Sequence, residues 1–241
     1  MKPVLLIAIN FVREQRWPIL VLLLWVLLLA FLGLATDAAR HSEDLLFVFK
    51  QVAVYVLAFS VFFGSSAIFN DRRSRRILSV LAKSVSRQQY LSGLVLGITI
   101  ACGIYCFALG ITGSWTLGEA GFPIWRVWFL MLCLIVACAL AGTVALMFST
   151  FLNPFFAAGA TAAVMGLPAM VSYVTGSLQW SYVIPVYALA AVVLKSSFGA
   201  SFGFPGGLPW FPIVWAVVET LVFWQLSARI FSYVDIAVSV E

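Results

Sequence analysis

Charge is scarce in this chain of 241 residues: only 10% are Asp, Glu, Lys or Arg, against roughly 25% in a soluble domain. With 63% hydrophobic residues and a mean hydropathy of +1.09, there is too little polar surface to cover a water-soluble particle. Histidine occurs once, as His41, beside Glu43 and Asp44; a solvated charge group is the expectation there, not a metal site. Cys102, Cys106, Cys133 and Cys138 all lie inside apolar runs. None sits in a loop where a disulfide framework or zinc site would form, so they read as small packing residues and say little about redox compartment. No His pair, no nucleophile-base-acid set and no paired intramembrane carboxylates are present, which argues against catalysis by this chain. No G-x-x-x-x-G-K-[ST] phosphate loop occurs either, so the chain carries no nucleotide site of that kind.

What is present is long apolar sequence. An all-α membrane protein follows, because spans of about 20 apolar residues satisfy their own backbone hydrogen bonds in lipid. A transmembrane barrel would need short alternating segments instead. Charges and turn residues divide the chain into six predicted spans, 17–36, 51–70, 88–113, 127–150, 154–175 and 210–233, within one transmembrane domain. Pro18 suits the first turn of span one. Span three is expected to end near Gly113, leaving Ser114–Gly118 as loop. Asn153-Pro154 breaks an uncharged run too long for one helix. Residues 181–194 are apolar but short and contain Pro185, which favours a re-entrant or interfacial segment; Lys195–Trp210, rich in Gly and Pro, reads as loop. Residues 1–35 lack a clear A-x-A cleavage site, so a retained first span is expected rather than a signal peptide.

The net charge of +5 is a topology signal, not a nucleic-acid footprint. With six spans and a cytoplasmic N-terminus, Lys2, Arg13, Arg16, Arg72, Arg73, Arg75, Arg76, Lys83, Arg87 and Arg229 fall inside. Arg40, Lys50, Arg126 and Lys195 fall outside. Ten against four obeys the positive-inside rule and puts both termini in the cytoplasm.

Six of the 14 Lys and Arg residues lie between Arg72 and Arg87. In this stretch Ile77, Leu78, Leu81 and Val85 share one helical face, while Arg76, Ser79, Lys83 and Arg87 share another. The spacing predicts an amphipathic helix over 74–87 at the inner membrane surface. Ordinary positive-inside anchors would bind anionic headgroups; a short helix with a distinct polar face exceeds what topology requires and points to docking of a soluble partner. Val4, Leu5, Ala8, Phe11 and Val12 repeat the pattern in residues 1–16, predicting a second interfacial helix that turns into span one at Trp17-Pro18.

The stretch "LSVLAKSVSRQQYLSGLVLG" (78–97) resembles the coupling segment of permease subunits of type-2 ABC exporters, a run like "LLxxPVSRxxxLxGKxxG". Leu78 and Leu81 match its leucines, Val85-Ser86-Arg87 its "VSR", and Tyr90-Leu91 and Gly93 the start of the next helix. Ser84 stands where the family has proline, Arg75-Arg76 where it has Gly-Thr, and Leu94 where it has a basic residue. The motif covers about residues 71–97; the architecture covers the chain. The resemblance implies a coupling helix at 74–87, with Arg75, Arg76, Ile77, Leu78, Ser79, Leu81, Lys83, Val85 and Arg87 as the docking residues. It also implies a separate ABC ATPase subunit that supplies ATP and magnesium, and a second permease subunit, identical or related. The setting would be a bacterial-type inner membrane, and the cargo lipid-like, peptide or otherwise hydrophobic. Two rivals make different demands. A polytopic enzyme acting on lipid needs a His, Asp or Glu cluster at one face, and only His41, Glu43 and Asp44 offer one. A stand-alone secondary transporter needs several mid-membrane ionisable groups and inverted repeats.

Glu219 is the one acid inside an apolar span. It reads either as a substrate-path or gating residue or, preferred here, as a structural acid bonded to Trp or Tyr groups. Gly93-x-x-x-Gly97 could let two helix backbones approach. The small residues of "FFAAGATAAVMG" (155–166) predict tight packing of span five in the bundle interior. Trp115, Trp125, Trp128, Trp180, Tyr182 and Trp210 suit an interfacial aromatic belt.

Overall fold

A backbone with no water to bond must bond to itself, and in this chain it does so as helix. The computed structural model describes residues 2–35, 42–73, 85–119, 124–175 and 210–233. Among them are seven helices and no strands: α1 (Lys2–Glu14), α2 (Arg16–Ala35), α3 (Ser42–Arg73), α4 (Arg87–Glu119), α5 (Ile124–Ser149), α6 (Pro154–Thr175) and α7 (Trp210–Tyr233). The predicted segment 181–194, the loop after it, His41, Trp180, Tyr182 and residues 74–84 lie outside the described residues, as do the side chains of Glu43, Asp44 and Trp210.

Three helical stretches are long and apolar enough to cross a membrane: Arg87–Trp115, Val127–Ser149 and Ile213–Tyr233. The chain therefore has the character of an integral membrane protein. Two helices run past their predicted limits. Span two was bounded by charges at 51–70, yet α3 covers 32 residues and takes in Glu43, Asp44 and Lys50. Span three was expected to stop near Gly113, but α4 continues through Ser114–Gly118 to Glu119. A charge ends a hydrocarbon span without ending a helix, because the backbone ladder is indifferent to side-chain solvation.

α5 is the centre of the bundle and packs against α3, α4, α6 and α7. Its small residues make this possible. A Cβ on Gly64 of α3 would lie closer than van der Waals contact to the Gly142 backbone oxygen and 2.8 Å from the Ala145 methyl, and one on Gly142 would lie 2.7 Å from Ile98. Backbones this close replace the hydrophobic effect, which lipid removes, with dense van der Waals contact. Ser60 Oγ donates to the Cys138 carbonyl across the same seam at 2.5 Å. An offset of 78 residues links Ser60 to Cys138 and also Arg72 to Thr150. α3 and α5 therefore run in the same direction in a fixed register. All four cysteines are buried and free, packed within this core.

The interfacial reading of α1 meets a specific packing partner. Gly93 faces Ile7 and the Val4 carbonyl, and Gly97 faces Phe11, with built Cβ distances of 2.7–3.1 Å. The G-x-x-x-G pair thus seats α1 lengthwise on the start of α4, and the two helices run the same way. Ala8 and Phe11 are buried and Ile7 and Val12 pack against the core. Leu5, expected on the apolar face of this helix, is exposed together with Leu6 and Ile9. At Trp17-Pro18 helical hydrogen bonding continues: Gln15 N donates to Phe11 O and Ile19 N to Gln15 O. Pro18 sits in the first turn of α2, where proline's lack of an N–H is best tolerated.

Span five corrects an expectation. Phe155 and Phe156 are 84% and 63% exposed, and added Cβ atoms at Gly159 and Gly166 meet open space. Only Ala157 and Thr161 of this stretch are buried. Small residues permit close packing but do not choose which side of a helix receives it.

Candidate functional site: a polar clamp at one end of the bundle

The ends of α3, α5 and α7 meet the start of α4, and most of the polar side-chain bonding between helices gathers there. At α4 the sequence Ser86-Arg87-Gln88-Gln89 forms a capping box. Ser86 Oγ accepts from Gln89 N, and Ser86 N donates to Gln89 Oε1, both at 3.2 Å. Two otherwise orphaned donors are satisfied, and the first turn of α4 is fixed. Val85 and Ser86 are not helical, and Val85 packs partly buried on the core. This corrects the predicted boundary of the 74–87 helix. Helical spacing placed Arg87 on the same polar face as Arg76 and Lys83, but Ser86 caps a new helix and Arg87 belongs to α4.

Arg87 then reaches across to α7. Its Nη1 donates to the Phe231 carbonyl at 2.5 Å and to the Ser232 carbonyl at 3.1 Å. Its guanidinium carbon lies 5.6 Å from the Phe231 ring centroid. The last carbonyls of a helix have no intrahelical donors and carry its negative dipole end, so a guanidinium is the natural cap. Phe231 is fully buried and stacks on Tyr90, with centroids 6.1 Å apart and planes inclined by 22°. Tyr90, also buried, donates its hydroxyl to Asp71 Oδ2 on α3. Burial raises the Asp71 carboxyl above the usual aspartate range, and the Tyr90 hydrogen bond opposes that shift in part. One residue further, Arg72 Nη2 donates to the Thr150 carbonyl at the end of α5, 3.1 Å away.

Two arginines that flank residues 74–84 thus cap two neighbouring helices, Arg72 on α5 and Arg87 on α7, while Asp71 and Tyr90 tie α3 to α4. Of the predicted docking residues, Val85 and Arg87 are described, and both are engaged within the chain. Arg75, Arg76, Ile77, Leu78, Ser79, Leu81 and Lys83 lie outside the described residues. Asp71, Arg72, Gln89, Tyr90 and Phe231 were not singled out as partners from the sequence. Only the capping box has a local sequence signature, S-x-x-Q ahead of an apolar run.

Glu219 lies apart from this clamp, in the half of α7 nearer Trp210. The Trp215 indole, one turn away, donates to its carboxylate, while Oε2 is buried with no hydrogen-bond partner. Trp115, Trp125 and Trp128 all present exposed rings, and among the described residues no group of His, Cys, Asp or Glu is arranged to hold a metal ion.

No protein-family model matches the chain, and a search of curated proteins finds no match.

Proposed function

We propose that this chain is the six-span permease subunit of an ATP-driven exporter of the type-2 ABC class, gripped by a separate ATPase on its cytoplasmic 74–84 segment. The observation that carries the reading is the "VSR"-bearing basic amphipathic segment, placed between the second and third apolar stretches of a chain with no phosphate loop. α2, α3 and α6 would join the three membrane-length helices to make six spans. α1, seated lengthwise on the start of α4, would stand at the cytoplasmic side of the bundle, the termini would be cytoplasmic in a bacterial-type inner membrane, and a second permease subunit would complete the pathway. The clamp supports this reading physically: a segment meant to receive force needs ends anchored to the helices that must move. The chain itself would perform no chemistry; its work would be passage of a lipid-like, peptide or otherwise hydrophobic cargo.

Affinity purification from native membranes tests the proposal. A stoichiometric soluble ATPase is expected with the wild type. The triple variant Arg75→Glu, Arg76→Glu, Lys83→Glu should reduce it about tenfold, a loss of about 1.4 kcal/mol. A preparation active without any ATPase would end the proposal. In right-side-out vesicles a C-terminal tag should resist external protease; digestion would overturn the topology.

A further inference from the structure

Arg87 would be expected to face a docking partner, yet its guanidinium is bonded to the end of another helix. We propose that Arg87 is a positioning residue that gears α7 to α4, so that displacement of the α3–α4 end carries α7 with it, and that Arg72 does the same for α5. The functional use of this gearing rests on the exporter reading; the gearing itself rests on the clamp alone.

The apolar window of α7, Ile213–Tyr233, is only 22% buried. Among the described residues of its foot, Ser227, Ala228 and Phe231 are buried, two of them small, and Phe223 and Trp224 pack against the core one turn before them. Apolar contacts of this kind hold a helix without fixing its register. The links that specify position are the two Arg87 hydrogen bonds, the Arg87–Phe231 ring contact and the Tyr90–Phe231 stack. All four arise from residues within the first turn of α4, immediately after the Ser86 cap. That turn is also tied to α3 through Asp71. A rotation or shift at this end cannot move α3 and α4 without pulling the α7 carbonyls.

Arginine suits this task. One nitrogen of its rigid guanidinium, Nη1, serves two successive carbonyls while the group lies over the Phe231 ring, whereas a lysine ammonium is a point charge on a flexible stem. Arg72 makes the equivalent link with one carbonyl of α5. Its Nε is buried without a partner, so the α5 link is the simpler of the two. α5 is also held by the Gly64–Gly142 seam. Loss of Arg87 should therefore release α7 more than loss of Arg72 releases α5.

The test measures distance by electron paramagnetic resonance between nitroxides at Gln88 and Tyr233, both exposed, in full-length protein whose native cysteines are replaced. Wild type should give a narrow distribution. Arg87→Gln should lengthen the mean by about 1–2 Å, the scale of helix shifts at packed interfaces, and broaden it. Arg87→Lys should fall between, which keeps the test decisive if the glutamine variant folds poorly. A distribution unchanged in both variants overturns the gearing, whatever the partner is. A second pair at Trp115 and Val214, both exposed, reads the far ends of α4 and α7 in the complex with the ATPase. There nucleotide should leave the distance unchanged in wild type, where the two helices move together, and change it in Arg87→Gln. A distance that changes equally in wild type also overturns the gearing. If no ATPase accompanies the wild type, the exporter reading falls while the Gln88–Tyr233 result still decides whether Arg87 holds α7.

Discussion

α5 and α7 are both apolar helices long enough to cross a membrane, yet 78% of one apolar window is buried and 22% of the other. Their mean hydropathies run the same way, 2.7 for α5 and 1.4 for α7, so the more exposed helix is the less apolar one. Water would favour the same order, yet even α7 is too apolar to stand this exposed in water. In lipid it can, because hydrocarbon is as good a solvent for Leu221 as the bundle interior is for Leu134. What distinguishes the helices is surface shape. α5 offers Gly142, Ala141 and Ala145 to its neighbours, and the α3 backbone at Gly64 and the Ile98 side chain of α4 close on it from two sides. α7 offers Val214, Val217, Val218, Leu221 and Val222 to the outside and is located at its foot by polar bonds. One helix is held by fit along its length, the other by a clamp at its end.

That contrast can be broken most severely at the α3–α5 seam. Gly64→Leu drives a side chain into the Gly142 backbone and should cost more than about 3 kcal/mol. The expected outcome is loss of monodisperse protein in detergent size-exclusion chromatography. Next in size, Leu134→Ala empties a fully buried position on α5 and should destabilise by about 3 kcal/mol, read as a lowered midpoint in thermal unfolding.

The foot of α7 is more modest and depends on pH. Tyr90→Phe removes the donor to Asp71 and should cost about 1–2 kcal/mol at neutral pH. Because the folded Asp71 carboxyl titrates above its unfolded counterpart, the native state binds the extra proton. Its contribution to stability is fully present below the ordinary aspartate value and is lost as pH rises through the raised one. Unfolding midpoints should therefore fall across that window and level off above it. Tyr90→Phe, having lost the bond that opposed the shift, should move the window upward; an unmoved window would mean that Tyr90 does not set the Asp71 environment. Smallest of all, Leu221→Ala on the exposed side of α7 should change stability by less than about 0.5 kcal/mol. A loss matching that of Leu134→Ala would show that α7 is covered in the membrane.

Much of the helix order could be read in advance, and its limits are instructive. Asn153-Pro154 marked the boundary between α5 and α6, where α5 stops at Ser149 and α6 starts at Pro154. Gly93 and Gly97 announced a close approach, though not that α1 would be the helix approaching. The 155–166 stretch misled, because its small residues were read as interior and most of them are open. The clamp was far less legible. Every helix ends in free carbonyls, so nothing local marks Phe231 and Ser232 as the partners of Arg87, 144 and 145 positions away.

Composition alone decided the solvent and the secondary structure: a chain this poor in charge partitions into lipid, and a backbone in lipid coils into helices. Those are properties that each segment has independently of the others. Which side of each helix meets protein, which arginine caps which helix, and where Ser86 restarts the chain were decided by the assembled bundle. Such choices depend on complementarity between segments far apart along the chain, and hydropathy measures only one segment at a time.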